Sequence, residues 1–441
     1  MRQERESAAL RFPDQFLWGT ATASHQVEGN NTNNDWWEWE QKGRILDGSR
    51  SGLACDHYRL YREDFDLLAA LHQNAHRLSL EWSRIEPTPG FFDPDAIAHY
   101  RDVLEYLRRL GIEPVVTLHH FTNPRWLSAK GGWETAEVVD AFGRYVARAV
   151  DAFGDLVRYW VTINEPVVYA TKGYFEAVWP PGKRSLRRLT RVLHNMILGH
   201  ARAARLIREH SPRTDVQIGV AHHLRVFDPY RPILPFDHFV ARTGEALFNR
   251  AVLLSMLDGH FQFPFGRGAI PEGQDTLDFI GLNYYSRDMA TFDLRYPRSY
   301  FGSFFAHPDR PKTAAGWEIY PEGIYRVLKF LARFNKPILI TENGVADERD
   351  ELRPAFLITH LQQIHRAMQE GVKVQGYLHW SALDNFEWSE GRRLRFGLIH
   401  VDYDTLKRTV KPSGELYARI CAMGGIGATM LQQYAGSASF A

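Results

Sequence analysis

Eight short apolar segments, each followed by a longer amphipathic one, constrain the fold of this chain more than any other feature. They are residues 16–24, 75–82, 113–120, 159–166, 216–223, 278–285, 336–344 and 374–383. Most are rich in β-branched and aromatic residues and end in polar or turn residues, which is typical of strands buried on both faces. Alternation of such strands with helices predicts parallel strands joined by helical crossovers. The count of eight favours a closed (β/α)8 TIM barrel of the α/β class over an open doubly wound sheet.

The segments between these strands carry the apolar periodicity of helices. Helices are predicted over residues 55–72, 96–111 and 351–371. The stretch 224–275 is predicted to be a long insertion between the fifth and sixth strands, so the loops that follow the strands are elaborated. Because no Pro-, Gly- or Ser-rich linker divides the chain, the sequence predicts one domain over residues 1–441, with a loosely ordered tail from about residue 424.

Charge and cysteine content exclude several classes of protein. The chain has 53 Lys and Arg against 52 Asp and Glu, which argues against a nucleic-acid-binding surface and against a polybasic membrane anchor. Two cysteines, Cys55 and Cys421, are too few for a disulfide framework or a thiolate zinc site. The sequence contains no run of about 18 apolar residues, so no membrane-spanning helix is predicted. The first residues lack the apolar core of a secretory signal, so a cytoplasmic location is expected.

Polar residues concentrate at the ends of the predicted strands. Asn164 and Glu165 close the fourth strand, Asn283 and Tyr285 close the sixth, and Glu342 closes the seventh. Since the carboxyl ends of barrel strands meet at one rim, the two carboxylates can face each other there. Cleavage of a glycosidic bond needs one group that protonates the leaving oxygen and one that meets the positive charge developing at the anomeric carbon. The pattern therefore predicts a glycoside-cleaving site.

Seven motifs follow one another in a recognisable order. They are FLWGTATASHQVEG, AHRLSLEWSRIEP, WVTINEP, DFIGLNYYSR, GWEIYPEG, ILITENG and LDNFEW. Together they resemble the motifs of glycoside hydrolase family 1, the β-glucosidase and β-galactosidase family. The resemblance runs from about Phe12 to about Ile420. It implies a (β/α)8 barrel, which agrees with the strand count.

The resemblance implies specific roles for the strand-end residues. Glu165 would be the general acid/base and Glu342 the nucleophile of a retaining enzyme, with carboxyls about 5–5.5 Å apart. Arg77 and Tyr285 would keep the nucleophile charged and aimed, because a cation and a phenol donor both favour a carboxylate. Asn164 would bind the sugar 2-hydroxyl.

A sugar-binding set is also implied by the resemblance. It comprises Gln26, His120, Phe121, Asn283, Trp317, Trp380, Glu387, Trp388 and Phe396. Glu387 suits two adjacent sugar hydroxyls, Trp380 supplies a ring platform, and Trp317 resembles the platform on the leaving-group side. Two positions depart from the family pattern. Phe121 stands where a tryptophan is usual and so loses an N–H donor, and Val167 follows NEP where many members carry an aromatic residue.

Two histidine pairs, His119–His120 and His222–His223, raise the question of a metal site. Adjacent strand residues point to opposite faces, so neither pair can easily chelate one ion. No known ligand spacing accompanies them, and packing in the core or pocket is expected instead. The chemistry implied by the resemblance needs no metal or organic cofactor.

The expected function is retaining exo-β-glycosidase activity on terminal β-linked glucose, or on galactose or fucose. The expected partner is a small β-glycoside or oligosaccharide, with no nucleic acid and no membrane, and the oligomeric state stays open. A 6-phospho-β-glycosidase is a second candidate. Glu387 opposes it because a carboxylate would repel the phosphate, whereas Arg392, Arg393 and Arg395 keep it open. The same residues are also compatible with a catalytically inert sugar-binding barrel and with a transglycosidase.

Overall fold

A closed barrel of eight parallel strands forms the centre of the molecule. The computed structural model describes residues 8–435. The strands are β1 (Leu17–Ala21), β2 (Ala75–Ser79), β3 (Glu113–His119), β4 (Tyr159–Asn164), β5 (Gln217–His223), β6 (Phe279–Asn283), β7 (Ile338–Asn343) and β8 (Val374–Trp380). They are hydrogen-bonded in this order, and β8 pairs with β1 to close the barrel. Each of the eight predicted segments contains one of these strands, which confirms the predicted (β/α)8 TIM barrel.

A crossover helix follows each strand. These helices are α1 (His57–Ala70), α2 (Pro94–Arg109), α3 (Glu137–Phe153), α4 (Leu186–His210), α5 (Ala251–Asp258), α6 (Pro321–Leu331), α7 (Arg353–Gln369) and α8 (Pro412–Met423). The start of α2 illustrates the local cause, because Asp93 accepts a hydrogen bond from the Asp95 N–H while Pro94 takes the first helical position. The three helices predicted from periodicity match α1, α2 and α7. Helix α5 lies within 224–275, so that stretch is a crossover as well as an insertion.

Short elements elaborate the loops that follow the strands. The short helices are Ser24–Val27, Asp35–Gln41, Trp82–Ile85, Arg125–Ala129, Pro166–Thr171 and Pro235–Gly244. After β5 and β6, strands Val226–Pro229, Arg287–Phe292 and Gly302–Phe305 form a three-stranded sheet. A two-stranded sheet of Ile399–Val401 and Arg408–Val410 follows β8. Since these elements follow the carboxyl ends of barrel strands, they surround the rim where a barrel places its chemistry.

The barrel interior is packed below that rim. A compact apolar cluster draws side chains from the barrel strands: Leu17, Ala75, Val115, Tyr159, Val161, Ala221, Phe279, Leu339 and Leu378. The Phe279 ring occupies the space beside Gly219, where a Cβ atom would lie 2.5 Å from the ring. The apolar cluster therefore fills the barrel beneath the polar side chains at the rim. None of the helices within residues 8–435 has the length and apolar character needed to cross a membrane.

The chain after α8 differs from the sequence prediction. Gly425–Gly427 forms a strand antiparallel to Ala8–Arg11, with Ile426 fully buried and Met430 nearly so. The predicted loose tail was wrong for this part, because its small residues permit close backbone approach. A Cβ at Gly425 would lie 2.2 Å from the Leu10 carbonyl oxygen. Residues 436–441 of the predicted tail lie outside the described residues.

Candidate active site

Glu165 occupies a strained turn at the end of β4. Its backbone is left-handed, with φ 46° and ψ 58°, and Pro166 begins the next helix directly after it. A non-glycine residue in this region costs about 1–3 kcal/mol and persists where the surroundings hold it. The Glu165 N–H donates to the Ala221 carbonyl at 2.8 Å, which fixes the turn against β5. The turn brings the Glu165 side chain to the residues at the ends of β5 and β6.

The carboxyl group of Glu165 is buried and contacts two nitrogen atoms. Asn283 Nδ2 donates to Glu165 Oε1 at 2.7 Å, and His223 Nδ1 lies 3.1 Å from the same oxygen. Burial raises the pKa of Glu165, but interactions with His223, Asn283 and Arg77 outweigh burial and hold the pKa below its ordinary value. The largest of these lowering effects is the attraction of a protonated His223 ring, and it acts only while that ring is charged. The state of His223 therefore decides how firmly Glu165 holds a proton.

Glu342, on β7, is held between a cation and a phenol. Arg77 Nη1 donates to Glu342 Oε1 at 2.5 Å, and the Tyr285 hydroxyl donates to Oε2 at 2.7 Å. Arg77 is fully buried, and its remaining donors reach Thr117 Oγ1 at 2.9 Å and Asn164 Oδ1 at 2.6 Å. A buried guanidinium with its donors paired avoids the cost of an uncompensated charge. This arrangement orients the Glu342 carboxylate and favours its ionised form.

A continuous hydrogen-bond chain joins the two carboxyl groups. Asn164 Oδ1, which accepts from Arg77, also accepts from Asn283 Nδ2 at 3.1 Å. Asn283 in turn donates to Glu165. The structure thus brings together both predicted carboxylates, Arg77, Asn164, Asn283 and Tyr285 in one network.

The two carboxyl groups influence each other's protonation. Burial, reinforced by the charge of Glu165, raises the pKa of Glu342 to about 7, against the opposing effects of Arg77 and Tyr285. Two buried carboxylates that share a cavity resist carrying two charges. We therefore expect the pair to hold one negative charge near neutral pH. When Glu165 carries the proton, its contribution disappears and Glu342 ionises more readily.

His120 connects this network to the predicted sugar pocket. Because Asn164 Oδ1 accepts from Arg77, Asn164 Nδ2 is the atom that donates to His120 Nε2, at 3.1 Å. Burial, followed by the charge of Arg77, lowers the pKa of His120, so the ring is neutral. Its proton must then reside on Nδ1, which is buried and has no hydrogen-bond partner within residues 8–435. Such an N–H group can donate to a sugar hydroxyl.

Gln26 and Glu387, both predicted to bind the sugar, lie side by side. Gln26 Nε2 donates to Asn385 Oδ1 at 3.0 Å, to the Phe386 carbonyl at 2.9 Å and to Glu387 Oε2 at 3.3 Å. Its Oε1 is buried and unpaired within residues 8–435, so it can accept from a ligand. Burial and the charge of Glu342 raise the pKa of Glu387 to about 8. In its neutral form Glu387 can both donate to and accept from hydroxyl groups.

Aromatic rings pack around His120. The His120 ring lies nearly parallel to Trp388 and Trp380, with ring centroids 5.9 and 6.0 Å away. Phe121 meets Trp388 edge-on at 5.1 Å. Phe121 is buried and has a left-handed backbone, with φ 71°. It therefore contributes apolar packing at a position where the sequence already indicated a missing donor.

The remaining predicted residues lie around Tyr285. Trp317 and Phe396 have ring centroids 5.4 and 6.4 Å from that of Tyr285 and 6.2 Å from each other. Trp317 is only partly buried, whereas Phe396 is buried. Since Tyr285 contacts Glu342, both rings lie next to the carboxylate pair. The structure thus places every sequence-predicted site residue in one connected region.

Sequence reasoning missed several residues that hold this site. Thr117 and Thr341 contact Arg77 and Asn283 respectively, and Asn385 contacts Gln26. For His223 the sequence predicts only packing, yet it contacts Glu165. Pairing of β4 with β5 places His223 beside the polar end of β4, and a single sequence does not reveal this pairing. The only signal in the sequence is that His223 closes the fifth strand.

The histidine pairs behave as the strand geometry predicts. His119 contacts Asn123 and Trp133, whereas His120 faces the pocket. His222 Nε2 lies 3.0 Å from the Asn249 carbonyl oxygen, whereas its neighbour approaches Glu165. Over residues 8–435, no three His, Cys, Asp or Glu side chains are grouped so that they could hold a metal ion.

Comparison with known proteins agrees with this geometry. The sequence model of Glycosyl hydrolase family 1 matches residues 8–426. Beta-glucosidase A of Thermotoga maritima is 36% identical over 94% of this chain and 99% of its own length. The solved β-glycosidase of Pyrococcus horikoshii is 39% identical, with a TM-score of 0.90 over 96% of this chain and 98% of that one. The solved β-glucosidase of Thermotoga maritima in complex with glucoimidazole is 36% identical, with a TM-score of 0.89 over 95% of this chain and 100% of that one.

Fold, site and relatives lead to one assignment. The family match extends over nearly the whole barrel, and the two solved relatives share its architecture along almost their entire length. The carboxyl pair at the rim supplies the groups that glycosidic cleavage requires. The chain therefore belongs to glycosyl hydrolase family 1, and it is a glycoside hydrolase.

Proposed function

We propose that the chain, acting as one catalytic domain, is a retaining exo-β-glycosidase that releases terminal β-linked glucose. Glu342 acts as the nucleophile and Glu165 as the general acid/base. The observation that carries this proposal is the asymmetric setting of the two carboxyls. Glu342 contacts Arg77 and Tyr285, which favour its charge, whereas the side-chain partners of Glu165 within residues 8–435 are an amide and an imidazole.

In the first step Glu342 attacks the anomeric carbon as the glycosidic bond breaks. Its carboxylate forms a covalent bond to the sugar, and the glycosidic oxygen leaves with the proton of Glu165. Asn164, oriented by Arg77, lies where it can bind the 2-hydroxyl, a contact that strengthens in the oxocarbenium-like transition state. The negative charge of the pair passes from Glu342 to Glu165 in this step, so the pair still holds a single charge.

In the second step a water molecule resolves the glycosyl-enzyme. Glu165, now ionised, removes a proton from the water as its oxygen attacks the anomeric carbon. The bond to Glu342 breaks and its carboxylate returns to Arg77 and Tyr285. Two inversions give net retention of configuration.

The pocket around Gln26, His120 and Glu387 supports a hydroxyl-rich terminal sugar. Gln26 Oε1 offers an acceptor and His120 Nδ1 a donor, both buried, and Trp380 and Trp388 offer ring faces. The similar protein from Thermotoga maritima is a β-glucosidase solved with glucoimidazole bound, which supports glucose as the glycone. Galactose and fucose are the competing glycones, and a panel of aryl β-glycosides ranks them by kcat/KM.

The stereochemistry of the first product tests the proposed mechanism. Proton NMR during hydrolysis of an aryl β-glucoside is expected to show the β-anomer of glucose first, with the α-anomer appearing later by mutarotation. Initial release of the α-anomer would reject double displacement. Transfer of the glucosyl group to an added alcohol, measured in the same experiment, reports how well acceptors compete with water.

Replacing Tyr285 with phenylalanine is expected to shift the acidic limb of the kcat/KM profile to higher pH. The Tyr285 hydroxyl stabilises ionised Glu342, so its loss raises the pKa of the group that must be ionised. A lost hydrogen bond to a charged group corresponds to about one pH unit. Phenylalanine keeps the packing against Trp317 and Phe396, so unfolding temperature serves as the control. An unmoved acidic limb would contradict the assignment of Glu342 as the ionised partner.

A 6-phospho-β-glycosidase would show a different substrate preference. Arg393 pairs with Glu390, Arg392 Nη2 donates to the Arg50 and Ser51 carbonyls, and Arg395 lies over Tyr403. A phosphate beside Glu387 would therefore meet an acidic group, while these arginines are engaged elsewhere.

We expect kcat/KM for nitrophenyl β-glucoside to exceed that for its 6-phosphate by about 100-fold or more, since a phosphate that loses its hydration in a buried site without a cationic partner costs several kcal/mol. The reverse ranking would support the phosphoglycosidase. Bound sugar with no hydrolysis of either substrate would support the inert sugar-binding protein.

A further inference from the structure

A chain of charged and polar contacts reaches Glu165 from outside the predicted site. His223 Nδ1 lies 3.1 Å from Glu165 Oε1, and Arg225 Nε donates to His223 Nε2 at 3.0 Å. Arg225 Nη1 donates to Asp288 Oδ2 at 3.0 Å. The chain thus runs from strand Arg287–Phe292 of the outer sheet to the acid/base carboxyl.

This geometry determines where the His223 proton lies. The Nε atom of an arginine is always a donor, so His223 Nε2 must accept and cannot carry a hydrogen. A neutral ring then carries its hydrogen on Nδ1, and that N–H points to Glu165 Oε1. Protonation of both nitrogens would require Arg225 to withdraw.

Arg225 is held firmly in this position. Its backbone N–H donates to Asn249 Oδ1 at 3.1 Å, and Asn249 Nδ2 donates back to its carbonyl at 2.7 Å. Its guanidinium lies over the Phe248 ring at 5.0 Å while pairing with Asp288. Because both its backbone and its side chain are held by other residues, Arg225 is fixed in contact with His223.

We propose that His223 and Arg225 form a positioning pair that keeps the imidazole neutral and directs its Nδ1–H to Oε1 of Glu165. Oε1 then accepts from both His223 and Asn283, so the catalytic proton resides on Oε2. That oxygen is the one presented to the leaving group. This inference rests on the proposed role of Glu165 as the acid/base.

Charged groups of both signs surround His223, and burial together with Arg225 favours the neutral ring. Glu165 faces it from the end of β4, Arg225 from the segment after β5, and Asp288 from the outer sheet. Tyr285 stacks against it at 5.7 Å. Burial lowers the pKa of His223 most, and the nearby guanidinium of Arg225 adds to this, against the opposing effects of Glu165 and Asp288. A neutral His223 ring lacks the positive charge that would lower the pKa of Glu165 most, so Glu165 holds its proton more firmly.

Two variants of His223 distinguish the loss of its hydrogen-bond donor from the loss of its aromatic ring. In His223→Asn the side-chain amide nitrogen can take the place of Nδ1, whereas His223→Phe keeps an aromatic ring but has no donor. Losing a donor to the carboxylate raises the pKa of Glu165, so His223→Phe is expected to move the basic limb of kcat/KM up by about one pH unit. His223→Asn should leave the limb near its wild-type position.

Removing Arg225 should act through the histidine. In Arg225→Met the freed Nε2 can be protonated, and Glu165 then loses its proton to the ring in part of the molecules. We expect a fall of about tenfold in kcat/KM for a phenyl glucoside, which needs the acid, and little change for a dinitrophenyl glucoside, which does not. In a His223→Asn background the same Arg225→Met change should have no such effect. Arg295→Met, which removes an exposed pair with Asp293, is the matched control.

Nitrogen-15 NMR of labelled histidine gives the direct test, with His223→Asn identifying the signal. We expect the wild-type ring to be neutral with its hydrogen on Nδ1 between pH 6 and 8, and the Arg225→Met ring to become doubly protonated. A wild-type ring with hydrogen on Nε2, or an unmoved basic limb in His223→Phe, would overturn the inference. Glu165→Ala separates the two claims, because persistence of the basic limb in that variant would instead refute the acid/base role itself.

Discussion

Replacing Glu342 with glutamine is expected to lower kcat by about 10⁴-fold or more, the size of loss seen when an essential catalytic side chain is removed. The amide keeps the shape of the carboxyl but cannot form the ester-like bond to the sugar. It also leaves Arg77 without its anionic partner, so the unfolding temperature must be measured alongside the rate. Glu209→Ala, which breaks an exposed pair with Arg205 on α4, should leave kcat unchanged.

Azide distinguishes the loss of a nucleophile from general damage to the site. In Glu342→Ala the removed carboxyl leaves room for an azide ion near Arg77 and Tyr285. The anion should attack the anomeric carbon directly and give the α-glucosyl azide with restored turnover. A β-glucosyl azide from this variant, or near-normal kcat without azide, would contradict the role of Glu342.

Replacing Glu165 with alanine is expected to produce a loss that depends on the leaving group. A phenyl glucoside needs its glycosidic oxygen protonated, and loss of a general acid costs about 10²–10⁴-fold. The dinitrophenolate of a dinitrophenyl glucoside leaves as a stable anion without protonation, so cleavage of this substrate should change little. The comparison is made by single-turnover kinetics, which isolates formation of the glycosyl-enzyme from its hydrolysis.

The same variant should accumulate the glycosyl-enzyme, because the base for the second step is also missing. Added azide is then expected to attack from the face opposite Glu342 and give the β-glucosyl azide. The two variants thus yield azides of opposite configuration. Equal losses for both leaving groups would mean that Glu165 acts on binding or folding rather than as the acid.

The barrel and its carboxylate pair could be predicted from the sequence because both follow from local patterns. Strands buried on both faces read as continuous apolar runs, as in residues 159–166 and 336–344. Each of these runs carries an acidic residue near its end, Glu165 or Glu342, at the rim where parallel strands meet. Chain order alone was enough to place these residues together.

The support around Glu165 could not be predicted in the same way. Contact between His223 and Glu165 depends on how β4 pairs with β5 and on the left-handed turn at Glu165. Arg225 reaches the ring because Asp288 and Asn249 hold it from other segments. These are long-range contacts with no periodicity, and a single histidine at a strand end is more often a packed core residue.

Small residues misled the prediction for the end of the chain. The small and polar residues of 424–441 predicted a loosely ordered tail. In the fold, the absence of a side chain allows Gly425 to approach Leu10 closely and to pair with strand Ala8–Arg11. Small residues thus permit a close backbone contact here, and only the tertiary structure shows it.

Trapping the intermediate tests the central claim most directly. In a 2-deoxy-2-fluoro-β-glucoside the fluorine slows both steps, and a dinitrophenol leaving group restores the rate of the first, so the glycosyl-enzyme should accumulate. Mass spectrometry of the intact protein and of its peptides is expected to find one fluorosugar per chain, attached to Glu342. A sugar attached to any other residue, or full turnover of the reagent with inverted product and no adduct, would contradict the account.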